Sequence, residues 1–432
     1  MNTLTRARKL VPTNPPPGPF RPGFWRSPLR GPWLTSFLGT LLVPGIVLML
    51  LTGLISQWSY YPTLGRNATT PVADSIPPLF HLPVSWPSWD YAVTQGIHVN
   101  LGLALVPLVL AKLWSVIPRL FKWPAVESPA AAVERLSLLV LVSSVLVEFF
   151  TGVADAEYWY PWHFSFYTIH YYGAWVFFSA FALHFAIKLP TVRRAYRTRG
   201  LLKPLRDDLK HTRPEPPDPD GLVAARPDAP TISRRGLLAM VGGGSLAVLL
   251  VNVGETIGGP LRRTALLGAR GRVFGTGPND FQITTTAVSA GVTGAVTGTA
   301  WRLSLAYDTH IVSLSRAQLM AMPQHHATLT LTCVEGWSTT QHWTGVRLAD
   351  LRDLVGAKAT DVLKVSSIQP SGPFRHVALA PQQVAASDAL LALCVNGVDL
   401  SPDHGYPARV IVPGAPGVHN TKWVGSMRFV PA

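Results

Sequence analysis

The sequence predicts a multidomain protein with an all-α bundle of four transmembrane helices, a fifth transmembrane or signal-anchor helix, and a C-terminal α+β domain. With 48% hydrophobic and only 14% charged residues, the chain is more apolar than an average soluble enzyme. Long apolar stretches fill its N-terminal half, whereas its C-terminal part has short β-branched runs broken by Gly and Pro turns. A membrane part and a globular part are therefore expected together.

Four apolar stretches each approach the ~20 residues that a helix needs to cross the hydrocarbon of a bilayer. They cover residues 33–55, 96–117, 136–153 and 167–188. We therefore predict a four-helix membrane domain at residues 32–190, surrounded by membrane lipid.

The basic residues are concentrated on two flanks, the N-terminal segment 1–31 and the segment that follows residue 190. Few lie in the loop at 57–94 and none in the loop at 154–166, so the positive-inside rule places the flanks in the cytoplasm and these loops outside. The net charge of +14 therefore marks the cytoplasmic side of a membrane protein, and no nucleic-acid partner is expected.

Residues 191–233 include a Pro-rich, charged stretch, which predicts an unpacked cytoplasmic linker. At 231–238 the sequence reads TISRRGLL, followed by an apolar run to about Val253. This pattern resembles a twin-arginine export signal placed internally, and it predicts a signal-anchor helix at 234–254. An ordinary fifth membrane helix is the alternative. Both interpretations place a domain at residues 270–432 on the extracytoplasmic side of the cytoplasmic membrane.

Histidines within the apolar stretches predict a haem site. A histidine in hydrocarbon is costly to bury without a partner, so ligation or proton relay is the leading hypothesis. His98 and His170 fall near the outer ends of the second and fourth helices. Facing imidazoles on two helices are what a bis-histidine haem b requires, so the helical domain is predicted to be a haem bundle. Histidines that only form interhelical hydrogen bonds are the alternative.

A second haem through His184 is an open question at the level of the sequence. His170 and His184 are 14 residues apart, which is ~21 Å and close to four helical turns, so they share a face. This spacing resembles b-type cytochromes with two stacked haems. On the second helix, however, Lys112 follows His98 by 14 residues. It could extend to the cytoplasm, act as an unusual ligand, or bind a haem propionate or a lipid phosphate.

Glu148 is an intramembrane carboxylate in the third stretch, where an unpaired charge is costly. It could accept a proton from quinol, hydrogen-bond a haem-ligating histidine, or pair with a group in the adjacent outer loop.

Two blocks of the C-terminal part carry a family resemblance. Residues 331–338 read LTCVEGWS with WTGVRL at 343–348, and residues 403–414 read DHGYPARVIVPG with HNTKW at 419–423. In their order and separation these blocks resemble the sulfite-oxidase-fold molybdopterin family, most of all the catalytic subunit of the bacterial periplasmic methionine sulfoxide reductase. The resemblance spans about residues 279–430 and implies a sulfite-oxidase-like α+β domain that binds molybdopterin.

Cys333 is the residue on which the predicted chemistry depends. A soft thiolate suits a high-valent molybdenum that the pterin dithiolene already holds, so Cys333 is predicted to be the catalytic metal ligand. It must then be a free thiolate, without a disulfide to Cys394, which we interpret as a buried strand residue.

The cofactor phosphate requires a cationic cradle rich in hydrogen-bond donors, which Arg409 and the turn at 420–422 can supply. The resemblance further implies that Asn279, Ser367 and His404 line the pterin. The predicted cofactor-binding set is Asn279, Ser367, His404, Arg409, Asn420, Thr421 and Lys422.

The sequence departs from sulfite oxidases at the substrate pocket. Those enzymes place an arginine shortly after the metal cysteine, whereas Trp337 and Ser338 occupy that stretch here. A less cationic pocket favours a neutral S-oxide or N-oxide over sulfite. We therefore expect quinol to pass electrons through haem b to molybdenum, which reduces such an oxide outside the membrane. Sulfite-type oxidation with reversed electron flow is one alternative, and a haem-binding membrane carrier with a non-catalytic docking domain is another.

Overall fold

A computed structural model of the chain describes residues 14–21, 23–76, 88–124, 128–218, 221–372 and 374–432. The N-terminal basic residues Arg6, Arg8 and Lys9 lie outside these ranges. The chain divides into two compact units. Unit 1 comprises Met1–Leu48, Leu101–Ala154 and Tyr160–Leu249, and unit 2 comprises Met49–Asn100, Asp155–Trp159 and Leu250–Ala432.

Long helices form wherever the sequence predicts an apolar stretch. They are α1 (Pro32–Ser59), α2 (Asp90–Leu120), α3 (Pro129–Ala156), α4 (Phe166–Arg199) and α5 (Arg234–Leu250). Each of the five helical segments is long and apolar enough to cross a membrane, judged by length and composition. Large apolar side chains such as Leu110, Leu136 and Leu246 are exposed on them, which is the surface that lipid covers in a spanning helix.

The segment between α4 and α5 packs within unit 1, which differs from the unpacked linker that its composition predicts. Glu215 is buried, and its carboxylate accepts hydrogen bonds from the amides of Trp33 (3.0 Å) and Leu34 (3.5 Å). These amides lie in the first turn of α1, where the helix has no internal acceptors and the dipole favours a negative charge. Glu215 therefore caps α1.

The two arginines at the start of α5 have opposite environments. Arg234 is fully buried and donates from Nη2 to the carbonyls of Arg213 (2.9 Å) and Pro28 (3.4 Å). Arg235 is exposed. Only the first arginine of the pair is thus part of the packing of unit 1.

Unit 2 contains the α+β domain. Its short helices are α6 (Gly254–Ile257), α7 (Gly294–Thr297), α8 (Arg316–Ala321), α9 (Leu348–Leu354) and α10 (Pro381–Ala385). Its strands are β1 (Arg302–Tyr307), β2 (His310–Ser315), β3 (His325–Thr332), β4 (Ser338–Arg347), β5 (Val362–Ser367), β6 (His376–Leu379), β7 (Leu390–Val395), β8 (Val398–Asp399), β9 (Arg409–Ile411) and β10 (Val424–Val430).

The strands form two five-stranded sheets. One has the order β2-β1-β10-β5-β6, in which β1 and β10 run parallel. The other has the order β3-β4-β7-β8, with β9 paired to β7. Buried side chains from both sheets, such as Leu305 of β1, Phe429 of β10 and Leu391 of β7, join one hydrophobic core. Cys333 follows the end of β3, Arg409 begins β9, and the turn at 420–422 precedes β10.

Candidate functional site

Cys333 lies in the turn that joins β3 to β4, and we call residues 333–337 the Cys333 loop. The Cys333 amide donates to the Trp337 carbonyl (3.0 Å), and the Gly336 amide donates to the Cys333 carbonyl (3.1 Å). Gly336 has φ +95°, a left-handed conformation that favours glycine. Burial raises the pKa of the Cys333 thiol well above its usual value, and Glu335 adds to the rise. A coordinated metal is what would hold such a thiol deprotonated.

An ion pair between Arg270 and Glu335 holds the Cys333 loop in place. Arg270 donates to both carboxylate oxygens of Glu335, at 2.8 and 2.6 Å, and the Trp337 indole donates to the same carboxylate at 2.9 Å. The Arg270 guanidinium also stacks 3.8 Å from the ring of Tyr158. A bidentate pair of this kind restrains both partners, so the loop is held on each side of Gly336. The cation is also neutralised by its partner.

Arg409, which is buried, and Lys422, which is half-buried, form a cationic pair. Burial lowers the pKa of Arg409 to about 9, and burial followed by repulsion from Arg409 lowers the pKa of Lys422 strongly. Lys422 Nζ donates to the carbonyls of Thr285 (2.8 Å) and Asp403 (2.7 Å). Gly405, with φ +108°, lets the backbone approach both side chains closely. Neither cation has a carboxylate within ion-pair distance in the part of the chain that the structure describes, so an anionic ligand is the expected partner.

Several buried polar atoms next to these cations lack a hydrogen-bond partner among the described residues. They are His404 Nδ1, Arg409 Nε and Thr421 Oγ1. His404 is stacked on Phe281 at 3.6 Å and donates from Nε2 to the Asn279 carbonyl at 2.8 Å. Burial and the charge of Arg409 lower its pKa to about 3, so it is neutral at pH 7. Because buried polar groups are normally paired, these atoms fit a polar ligand with an anionic group, as a molybdopterin is.

The remaining predicted pterin residues support the loops around this group. The Asn279 side chain donates to the Asp399 carbonyl (3.0 Å) and accepts from the Ser401 amide (2.9 Å). The Asn420 side chain accepts from the Val412 amide at 2.7 Å. Ser367 ends β5 and pairs with Val424 of β10. Asn279 and Asn420 thus fix the loops next to His404 and Arg409, and Ser367 lies at the end of β5.

Cys394 lies on β7 and is half-buried, with its sulfur 3.5 Å from a carboxylate oxygen of Asp399. Cys333 and Cys394 are both free thiols.

In unit 2, the imidazole of His98 is held by helix α1. Its Nδ1 lies 3.0 Å from the hydroxyl of Thr52. A Cβ added to Gly53 would come within 3.1 Å of the His98 ring, so the glycine makes room for it. A histidine oriented through Nδ1 presents Nε2 for metal binding.

In unit 1, His170 of α4 has the same local environment on helix α3. Its Nδ1 lies 3.0 Å from the hydroxyl of Thr151, and a Cβ added to Gly152 would come within 3.2 Å of its ring. Glu148 adds a carboxylate oxygen 3.3 Å from Nδ1. This contact is the one expected of Glu148 in the second of its three roles, a hydrogen bond to a histidine.

His184 and Lys112 are both in unit 1. His184 is half-buried on α4. The Lys112 ammonium donates to the Thr35 carbonyl of α1 at 2.6 Å. Among the described residues there is no cluster of three or more His, Cys, Asp or Glu side chains that could hold a metal ion.

Sequence reasoning missed the Arg270–Glu335 pair and the Thr-Gly pairs. Arg270 lies in a Gly- and Arg-rich stretch with no motif, so no sequence signal marked it. The Thr-Gly pairs did carry a signal, because Thr52-Gly53 and Thr151-Gly152 recur near the predicted outer ends of the first and third helices.

Comparison with known proteins agrees with the geometry of the C-terminal domain. Residues 290–432 match the family model of the oxidoreductase molybdopterin binding domain. The mitochondrial sulfite oxidase of Mus musculus is 32% identical over 28% of this chain and 28% of its own length. The sulfite oxidase of Arabidopsis thaliana is 28% identical over 26% of this chain and 37% of its own length.

A third relative, the uncharacterized oxidoreductase YuiH of Bacillus subtilis, is 28% identical over 30% of this chain and 66% of its own length. The chain thus spans between 28% and 37% of the two sulfite oxidases it matches. Residues 290–432 therefore form a domain that matches the oxidoreductase molybdopterin binding domain and is similar to the corresponding part of sulfite oxidases.

Proposed function

We propose that this protein is a membrane-bound molybdenum oxidoreductase that uses quinol to reduce S-oxides or N-oxides outside the cytoplasmic membrane. The observation that carries the proposal is the group formed by half-buried Cys333, the cations Arg409 and Lys422, and the polar atoms of His404 and Thr421 that have no hydrogen-bond partner among the described residues. Molybdopterin-bound molybdenum, when present, supplies oxygen-atom transfer. Cys333 would hold the metal, and the two cations would hold the cofactor phosphate.

The charge near Cys333 favours a neutral substrate. Arg270 is the cation that the structure adds to this neighbourhood, but its Nε and Nη2 donate to Glu335, whose carboxylate offsets its charge. A guanidinium engaged in this way is a poor receptor for a sulfite dianion. A sulfoxide needs only two protons and two electrons to give a thioether and water, and one quinol supplies both.

We further propose that a b-type haem in the helical region relays these electrons, with His98 and His170 as its imidazole ligands. The Thr-Gly pair beside each histidine supports this proposal, since threonine fixes the ring through Nδ1 and glycine gives it space. The five apolar helices support a location in the cytoplasmic membrane, with the C-terminal domain outside by the positive-inside rule.

The similarity to sulfite oxidases favours a second candidate, in which a sulfite-type oxidation delivers electrons to the respiratory chain. One experiment separates the two. Dithionite-reduced protein is mixed anaerobically with sulfoxides or N-oxides, and oxidised protein is mixed with sulfite, while the haem band is followed.

Under the proposal, the oxides reoxidise the haem of the reduced protein, and sulfite does not reduce the haem of the oxidised protein. In Cys333→Ser the reoxidation is abolished while the haem spectrum remains. Reduction of the haem by sulfite instead would establish the second candidate. Absence of molybdenum from the purified protein, together with no response to any oxide, would favour a haem carrier with a docking domain.

A further inference from the structure

The outer turn of helix α2, residues 95–100, packs directly on the Cys333 loop within unit 2. The Gln95 amide donates to the Val334 carbonyl at 2.6 Å, and its own oxygen accepts from the Ser56 hydroxyl at 2.8 Å. Val99 packs directly against Gly336: a Cβ added to this glycine would come within 2.9 Å of the valine side chain. A side chain at position 336 would therefore push the loop off the helix.

A buried polar chain makes the second connection between helix and loop. The Asn252 amide donates to Asn100 (2.8 Å), the Asn100 amide donates to the Thr256 hydroxyl (2.8 Å), and this hydroxyl donates to the Gly336 carbonyl (2.7 Å). The Ser338 hydroxyl donates to the Thr256 carbonyl. Each member has a partner, and a buried network that is fully satisfied selects a single arrangement.

His98 belongs to the same helical turn. It precedes Val99 in the chain and follows Gln95 by three positions, and Thr52 fixes its ring. The Cys333 loop and the His98 imidazole are thus both attached to residues 95–100. We propose that this turn, which we call the α2 dock, is a permanently docked electron-transfer junction, with Gln95 and the Asn100–Thr256 pair as positioning residues. The proposal rests on the proposed function, which places haem at His98 and molybdenum at Cys333.

The physical consequence is that electrons need no diffusive encounter between domains. A tethered carrier must find its acceptor at each turnover, so its rate falls as solvent viscosity rises. A junction held by buried hydrogen bonds is already assembled. Each transfer then moves one electron from haem to metal and no atom, and quinol restores the electron.

The first test measures the dock without catalysis. Thr256→Val keeps the shape of the side chain but removes the hydroxyl, whereas Thr256→Ser keeps the hydroxyl. Hydrogen–deuterium exchange of the Cys333 and Gly336 amides should become about fivefold faster in Thr256→Val and return toward the original rate in Thr256→Ser. Thr264→Val is the matched control, since Thr264 is exposed and, among the described residues, its hydroxyl donates to the Leu261 carbonyl. Equal exchange in the Val and Ser variants would overturn the proposal.

The second test measures electron transfer in the full chain. Reduced protein is mixed with an accepted oxide, and haem reoxidation is followed at increasing sucrose concentration. The rate should be independent of viscosity in the unmodified protein and lower in Thr256→Val and Gln95→Leu, with the haem spectrum unchanged. A rate that falls in proportion to viscosity would overturn the dock while leaving the proposed function intact. Failure of every oxide to reoxidise the haem would count against the proposed function itself, and the exchange data would still decide whether the dock exists.

Discussion

At the scale of single residues, the sequence was most informative where one residue type is chemically required. Cys333 was predicted from its motif to be a free thiolate that binds the metal, and in the structure it is half-buried and in no disulfide. Arg270 was not predicted, because its partner Glu335 is distant in sequence and an isolated arginine in a loop is usually a surface residue. Long-range pairs of this kind depend on tertiary packing, which no local pattern encodes.

His419 is a buried residue whose protonation should limit acid stability. Its Nε2 donates to the Tyr60 carbonyl (3.1 Å), and its Nδ1 faces the Gln383 amide (3.3 Å), whose oxygen is already used by the Ala380 amide. Burial lowers the pKa of His419 from 6.5 to about 4. A neutral imidazole satisfies both contacts. A protonated imidazole carries a hydrogen on Nδ1, which would face the N–H donor of Gln383.

The sign of the pH effect follows from this lowered pKa. Between pH 6.5 and 4 the unfolded chain binds a proton at His419 and the folded chain does not, so stability is complete above about pH 6.5 and is lost as pH falls toward 4. The loss from this one group is at most roughly 3 kcal/mol. We expect the melting temperature of the C-terminal domain to fall from pH 7 to pH 5, and the fall to be smaller in His419→Gln. Identical pH dependence in both proteins would show that another group is responsible.

At the scale of elements, the apolar stretches predicted the positions of the long helices but not their ends. Helix α4, for example, continues to Arg199, beyond the predicted end at 188, because the hydrophobicity criterion stops at the first charges while the backbone hydrogen bonds continue. The prediction that residues 191–233 form an unpacked linker was wrong because it rested on composition alone. Its composition is that of an unpacked chain, yet Glu215 finds the free amides of α1 far away in sequence.

The helices that carry the proposed haem ligands give a prediction at this scale. If His98 and His170 hold the proposed haem, His98→Ala and His170→Ala should each remove its absorbance, because each removes an axial imidazole, whereas His184→Ala should leave this haem in place. Absorption spectra of the purified variants measure this directly.

The neighbouring threonines provide the matched control. Thr52→Val should lower haem occupancy by weakening the orientation of His98, and Thr52→Ser, which keeps the hydroxyl, should restore it. Equal haem loss in all three histidine variants, or none in the first two, would show that the assignment of ligands by helix position is wrong.

At the scale of the whole molecule, one chain combines a helical region and a molybdopterin-binding domain that must lie outside the membrane if the proposed function is correct. By family resemblance the pterin is inserted into folded protein in the cytoplasm, so the domain would have to cross the membrane already folded. The twin-arginine pathway permits this, and residues 233–238 resemble its signal. Replacing both arginines by lysine should therefore strand the C-terminal domain in the cytoplasm, since the change keeps the charge that orients the helix.

The structure shows how to separate export from folding in this experiment. Arg234 is buried and bonded to the carbonyls of Pro28 and Arg213, so a lysine there also disturbs the packing of unit 1. Arg235 is exposed, and Arg235→Lys changes the signal without touching that packing. We expect Arg235→Lys to reduce the fraction of the C-terminal domain that is accessible to protease from outside, with an unchanged haem spectrum. Arg234→Lys should reduce this fraction and also destabilise unit 1. If Arg235→Lys and the double-Lys protein both show an externally accessible, metal-loaded domain, α5 is an ordinary membrane helix and its arginines only set its orientation.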